Sequence, residues 1–258
     1  MDAKISVVIN TYNAERQLAE VLESVLEFDE ILVCDMESTD STQEIASSYG
    51  CRVITFPRGE HRIVEPAREF AIHEAQNDWV LVVDADELVT KELREYLYSY
   101  IQRPDAADGL FIPRKNYFMG QMMHCIYPDP ILRFMRQSKT HWPQYVHAIP
   151  VVDGRVERIP PRRKELAFIH IANDPVRAIV SKMNDYTDNE VQKRAHKKYG
   201  LGALFYRPFF RFFKAYIIKG GFRDGRAGFI RALLDGCYQI VMLAKITESE
   251  RDTTIKIH

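Results

Sequence analysis

The chain is poor in cysteine. Its 258 residues hold four, Cys34, Cys51, Cys125 and Cys237, and no two form a Cys-x-x-Cys pair. That scatter indicates neither a zinc site nor a disulfide framework. An excess of one charge is lacking too: 35 Lys+Arg against 36 Asp+Glu leave a formal net charge of −1. No global charge therefore argues for nucleic acid as a partner. No stretch approaches ~18 uninterrupted apolar residues, so no membrane span is expected. The N-terminus enters a strand-like segment at Ile5, without the basic, apolar, small-residue pattern of a signal peptide. The expectation is a protein made and kept in the cytoplasm. Internal repeats and low-complexity segments are also missing.

What is present is the mix of a soluble globular protein, 46% hydrophobic and 28% charged. The length fits one large α/β domain, or a domain with an appendage. The first hundred residues alternate strand and helix. Strands are expected at 5–9, 30–34, 52–55 and 79–83. Helices are expected at 15–26, about 41–49, 66–75 and 90–101. This order implies a parallel sheet with right-handed crossovers. Segments 109–118, 130–136, 151–159 and 166–171 then read as strands, and the chain reads as helical from Pro175 to about Lys245. The fold class expected is α/β: a Rossmann-like, mostly parallel sheet with helices on both faces, plus a C-terminal helical extension. The catalytic domain is placed at 1–172, with halves 1–103 and 104–172, and the extension at 173–258.

The densest signal is Trp79-Val80-Leu81-Val82-Val83-Asp84-Ala85-Asp86-Glu87. A branched apolar run suits a strand covered on both faces, and it stops at two carboxylates one residue apart. Ligands bind at the carboxyl ends of strands in open α/β sheets. Residues two apart on an extended chain share a face, so Asp84 and Asp86 can turn toward one hard cation. The second strand likewise ends at Asp35, and the first ends in Asn10-Thr11-Tyr12-Asn13. Three polar strand ends define one rim, with Asp40 or Ser41 as a helix cap.

Taken in order, Ile5-Ser6-Val7-Val8-Ile9-Asn10-Thr11-Tyr12-Asn13, Val33-Cys34-Asp35 with Ser38-Thr39-Asp40, and Trp79 to Glu87 resemble glycosyltransferase family 2, of the GT-A fold. In the second half, Pro113-Arg114-Lys115-Asn116-Tyr117, Tyr127-Pro128-Asp129-Pro130, Tyr145-Val146-His147 and Gly221-Phe222-Arg223-Asp224-Gly225 are similar to lipopolysaccharide-core glucosyltransferases that act on inner-core heptose. The resemblance implies a nucleotide-diphospho-sugar donor, a UDP-hexose with glucose as the guess, and a saccharide or glycolipid acceptor. It implies that Thr11, Tyr12, Asn13 and Asp35 hold the nucleoside, with Arg68 and Ala85 also at the donor. Asp84 would contact ribose or metal, and Asp86 would bind Mn2+ or Mg2+ on the diphosphate. Two departures stand out: Glu37 occupies a position where the family often has Gly, and Ala148 follows Val146-His147 where those enzymes read Glu. The Gln-x-x-Arg-Trp motif of polymerising synthases is absent, which favours single addition.

Inversion by single displacement, also implied by the resemblance, needs one general base opposite the leaving group. Asp129, in a Pro-flanked loop before a strand, is the candidate, against a turn-residue alternative. His147 is a further candidate for metal or acceptor. Arg114 and Trp142 are assigned to the acceptor. Residues 205–231 interleave seven basic residues with nine aromatics and one acid, and Arg207, Arg211 and Lys214 form an i, i+4, i+7 stripe. Such a helix suits an anionic membrane surface, here the inner face of the cell membrane. A sugar-phosphate nucleotidyltransferase is the alternative enzyme, disfavoured because Thr11-Tyr12-Asn13-Ala14 carries no glycine. A non-catalytic sugar- or membrane-binding protein is the third reading, disfavoured by intact Asp35, Asp84 and Asp86.

Overall fold

The computed structural model describes residues 3–59, 64–144, 148–172, 175–194, 197 and 199–250. Two compact units divide the chain: residues 1–115 with 128–171, and residues 116–127 with 172–258.

The first unit opens with β1 (Ile5–Thr11), α1 (Leu18–Val25), β2 (Glu30–Asp35), α2 (Thr42–Ser48), β3 (Arg52–Thr55), α3 (Glu65–Glu74) and β4 (Trp79–Asp84). It continues with β5 (Glu87–Leu88), α4 (Lys91–Ile101) and β6 (Gly109–Ile112). The hairpin strands β7 (Arg114–Phe118) and β8 (Gln121–Met122) lead into the second unit, and β9 (Ile131–Arg136) returns to the first. Short strands complete it: β10 (Thr140–His141), β11 (Val151–Val152), β12 (Val156–Arg158) and β13 (Phe168–His170).

One seven-stranded sheet runs β12-β6-β9-β4-β1-β2-β3. Strands β4, β1, β2 and β3 are parallel, and β9 lies antiparallel to β4 and β6. Strands β1 to β3 step outward in one direction, and the chain then crosses back to lay β4 on the other side of β1. This reversal creates a crevice above the carboxyl ends of β1 and β4.

Side-chain alternation explains why both faces are covered. Val7, Ile9, Leu81 and Val83 point to one core, with Leu18, Val21 and Leu22 of α1 and Leu93 and Leu97 of α4. Val8, Val80 and Val82 point to the other, with Ala67, Ala71 and Ile72 of α3. Thr90 caps α4, its Oγ1 accepting from the Leu93 N–H at 3.2 Å. Two expected strands are broken. Pro113 has no N–H for a ladder and separates β6 from β7. The turn at 153–155 separates β11 from β12.

In the second unit the helical stretch is three helices, α5 (Val176–Arg194), α6 (Leu201–Phe213) and α7 (Gly225–Glu250). Pro208 lies inside α6, which gives way to one π-helical turn at Lys214–Ile218. Gly228 is required at the start of α7: a Cβ there would lie 1.9 Å from the Gly221 carbonyl oxygen. Buried Asp224 ties this start to the 121–125 segment, accepting from the His124 N–H at 2.9 Å and the Cys125 N–H at 3.1 Å. Against expectation, the helix Gly221–Ser249 is long and apolar enough to cross a membrane by length and composition, at mean hydropathy 1.3. Arg231 and Asp235 interrupt its sequence, so a search for uninterrupted runs passes over it. Its residues Met242, Leu243 and Ile246 are buried against Val191, Leu204 and Tyr238 of the same unit.

Candidate active site at the sheet switch point

The crevice above β1 and β4 is a pocket of about 460 Å³, lined by Asn10, Tyr12, Asn13, Ala14, Arg16, Gln17, Asp84, Ala85, Asp86 and His170. Strand register builds it: Asn10 stands opposite Asp84 across β1–β4, and Thr11 opposite Asp35 across β1–β2.

The two carboxylates at the end of β4 have different partners. Asp84 Oδ2 accepts from Arg133 Nη2 at 2.7 Å, and its Oδ1 accepts from Arg68 Nη2. Burial alone would raise the Asp84 carboxyl, but the Arg133 and Arg68 guanidiniums outweigh it and hold the group well below the usual carboxylate range. Both arginines lie over the Trp142 ring, 5.1 Å and 5.4 Å from its centroid. Asp86, by contrast, faces His170, whose Nε2 is 3.3 Å from its Oδ2. Burial pushes the His170 imidazole down, and the hydrogen bond and charge of Asp86 push it up further, for a net rise. Asp84 is thus paired with two arginines, and Asp86 with His170.

Behind Asp84 lies a second ion network. Glu87 is wholly buried, accepts from the Asp84 N–H at 3.1 Å and receives Arg114 Nη1 at 3.0 Å. Burial and the neighbouring Asp84 charge raise the Glu87 carboxyl. Arg114 donates with Nε and Nη2 to Asp129 Oδ2, at 3.0 Å and 2.7 Å. Asp129 itself takes a left-handed φ of 39°, a region that aspartate and asparagine enter more readily than other side chains. Arg114, expected at the acceptor, is thus spent on two carboxylates and positions Asp129.

Other expected contacts also move. Asp35 is fully buried, and its carboxylate accepts from Thr11 Oγ1 at 2.9 Å, the Ser38 N–H at 2.9 Å and Gln43 Nε2 at 2.6 Å. Thr11 and Asp35 therefore brace the rim from within rather than facing the pocket. Glu37 adopts φ 60°, the conformation glycine takes without strain. Tyr12 keeps an exposed ring, with Arg58 3.7 Å above its centroid. Asn13 caps the loop through Oδ1, which accepts from the Thr39 N–H at 2.8 Å. Trp142 is 1% exposed, too deep to line an acceptor pocket, and Ala148 is buried in the same apolar cluster. Arg68 is ion-paired with Asp84. His147 lies outside the described residues.

Arg16 and His170 line the pocket without any expectation from sequence, and Asn10 was expected only as part of a polar strand end. His170 ends a short strand far along the chain, and only β5–β13 pairing, with His170 opposite Glu87, brings it to the rim. Arg16 sits just before α1 and reaches the pocket. Asn10 is 9% exposed, and neither atom of its carboxamide has a hydrogen-bond partner. A strand-end asparagine after an apolar run was the available signal for it.

Among the described residues no three acidic, histidine or cysteine side chains converge as a complete metal cage. One carboxylate and one imidazole at the mouth of a pocket nevertheless fit a divalent cation that completes its shell with substrate phosphate and water.

Comparison with known proteins agrees with the architecture. The family model described as Glycosyl transferase family 2 matches residues 6–152. A lipopolysaccharide core biosynthesis glycosyltransferase, LpsC, from Rhizobium meliloti is 26% identical over 94% of this chain and 91% of its own length. An uncharacterized glycosyltransferase from Rickettsia typhi is 28% identical over 95% of this chain and 87% of its own. A mannosyltransferase from Pyrobaculum calidifontis, solved with GDP-Man and Mn2+, superposes with a TM-score of 0.58 at 14% identity, over 97% of this chain and 88% of that one.

Proposed function

The chain belongs to glycosyltransferase family 2 and has the GT-A fold, and from that premise we propose that it moves a hexose from a nucleotide-diphospho-sugar to a glycolipid or lipopolysaccharide-core acceptor. The observation that carries this reading is the switch-point pocket, where Tyr12, Arg16, Asp86 and His170 meet. The Tyr12 ring offers a face for a nucleobase, and Arg16 a cation for the diphosphate. UDP-glucose is the donor suggested by resemblance, and the full-length similarity to LpsC supports a core-saccharide acceptor.

Asp86 and His170 would hold Mn2+ or Mg2+, which when bound neutralises charge on the departing phosphates. The Asp84–Arg68–Arg133 cluster fixes the end of β4, so that Asp86 and the Ala85 backbone are presented at a constant height. Asp129 is the proposed general base: it would take the proton of the acceptor hydroxyl as that oxygen attacks the anomeric carbon, with inversion. Arg114 sets the rotamer of Asp129 through its two-nitrogen grip. Ala148 stands where the resembling enzymes have a glutamate, which points to a difference in acceptor or in mechanism.

The exposed aromatics of α6, Phe205, Phe209 and Phe213, favour a peripheral seat on an anionic cytoplasmic membrane surface, where a glycolipid would be met. The experiment is a panel of nucleotide sugars assayed for transfer and hydrolysis, with and without Mn2+ or Mg2+. The reading predicts turnover of one nucleotide-diphospho-hexose, lost in Asp86→Ala. Formation of a nucleotide sugar from a sugar phosphate and NTP would instead establish the nucleotidyltransferase.

A further inference from the structure

The second unit contains a cavity that the transfer reaction does not use. It measures about 340 Å³ and is a half-open cleft lined by α5, α6 and α7. Ile179, Met183 and Leu234 form an apolar floor. Lys182, Arg211 and Arg231 face it with a single acid, Asp235. Arg211 and Tyr238 also line an adjoining groove of about 530 Å³, which adds Arg194, Arg207 and Lys214 together with one acid, Glu190.

Two details indicate an anion. Arg231, with 32% of its side chain exposed, is ion-paired with Asp235 Oδ1 at 3.4 Å, but its buried Nε makes no hydrogen bond. A buried guanidinium donor left unanswered is costly, and such groups are rarely tolerated without a ligand or water. Arg211, exposed beside it, pairs with no carboxylate among the described residues. Two guanidiniums against one carboxylate leave net positive charge above an apolar floor. That combination matches a phosphate group carried on a glycerol- or lipid-sized body, since guanidinium forks bind phosphate oxygens in pairs.

We infer that the α5–α6–α7 cavity is a binding site for a phosphate ester, held by Arg211 and Arg231. The ester has two possible sources, a phospholipid headgroup or a soluble phosphorylated molecule, and the chemistry is the same for both. The same helix α6 presents Phe205 and Phe209 outward, 79% and 70% exposed, which suits the lipid source. The site goes beyond the transfer reaction and stands whether or not the donor assignment holds.

The test uses the full chain, with glycerol 3-phosphate in calorimetry and vesicles in sedimentation. The vesicles are phosphatidylcholine alone or with phosphatidylglycerol. Variants are Arg211→Gln, Arg231→Gln and the double Phe205→Ser/Phe209→Ser. Saturable glycerol 3-phosphate binding, weakened about tenfold or more in Arg211→Gln and unchanged in the phenylalanine variant, supports the site with a soluble source sufficing. Binding only to phosphatidylglycerol vesicles, lost in Arg211→Gln, supports it with a lipid source. Arg211→Gln matching wild type on both probes overturns it, even if Arg231→Gln fails to fold. Vesicle binding lost in the phenylalanine variant but kept in Arg211→Gln leaves the membrane seat standing and removes the phosphate site.

Discussion

Replacing Asp84 by Asn separates the two carboxylates of the β4 end most sharply. Arg68 and Arg133 keep only 12% and 8% of their side chains exposed, and Asp84 is their shared counter-charge. Removing one partner of a buried ion pair costs about 3–5 kcal/mol, because the remaining charges stay desolvated. Asp84 keeps 23% of its side chain in water, which favours the lower end, about 3 kcal/mol. In a chain of this size each kcal/mol moves Tm by roughly 2–4 °C, so Asp84→Asn should melt about 6–12 °C lower. Asp86 is 35% exposed, and among the described residues its ion pair is with His170 at 3.3 Å. Asp86→Asn should stay within about 0.5 kcal/mol of wild type, or roughly 2 °C. Both tryptophans, Trp79 and Trp142, belong to the first unit, so tryptophan fluorescence during heating without metal reports that unit alone. Equal melting of Asp84→Asn and wild type, or an equal fall in Asp86→Asn, refutes the division of roles.

Asn10→Val should remove two unanswered buried polar atoms and raise stability by about 1–2 kcal/mol, while weakening nucleotide binding in calorimetry; tighter or unchanged binding would leave Asn10 outside the donor site. Asp129→Asn should retain nucleotide binding and lose transfer, and normal transfer would reject it as the base. For buried Asp224, burial raises the carboxyl, but the N–H donors and side chains of His124 and Cys125 outweigh it and lower the group overall. A folded-state value below the unfolded one contributes stability above about pH 4 and loses it on acidification. Wild type should therefore lose more stability than Asp224→Asn between about pH 5 and pH 3, followed by helical circular dichroism; parallel curves would contradict this.

Much of the first unit was legible because strand and crossover periodicity are local. The β4 run, the Thr90 cap and the doubly covered parallel strands all follow from residues within one element of each other. The site was legible only as strand ends. Asp86, Tyr12 and Asn13 reach the pocket as adjacency predicts, whereas Asp35 and Thr11 turn inward because Ser38 and Gln43 supply donors that only the folded loop brings together. His170 could not be placed from sequence, since its position depends on β13 pairing with β5 some eighty residues earlier. Trp142 reads from sequence as either an acceptor-pocket or a packing residue, and the fold buries it in an apolar cluster with Arg68 and Arg133 over its ring. The long helix α7 was hidden by Arg231 and Asp235, charges that face the cavity between the helices.

The central claim is sugar transfer from a nucleotide donor at the Asp86–His170 rim. The most direct measurement is release of nucleoside diphosphate from UDP-glucose and its congeners across a Mn2+ titration, in wild type, Asp86→Asn and His170→Ala. The account predicts release that saturates with Mn2+ in wild type, falls by about 2 kcal/mol of transition-state stabilisation or more in both variants, and leaves their folding intact. Release that ignores Mn2+, or persists at wild-type rate in both variants, contradicts it.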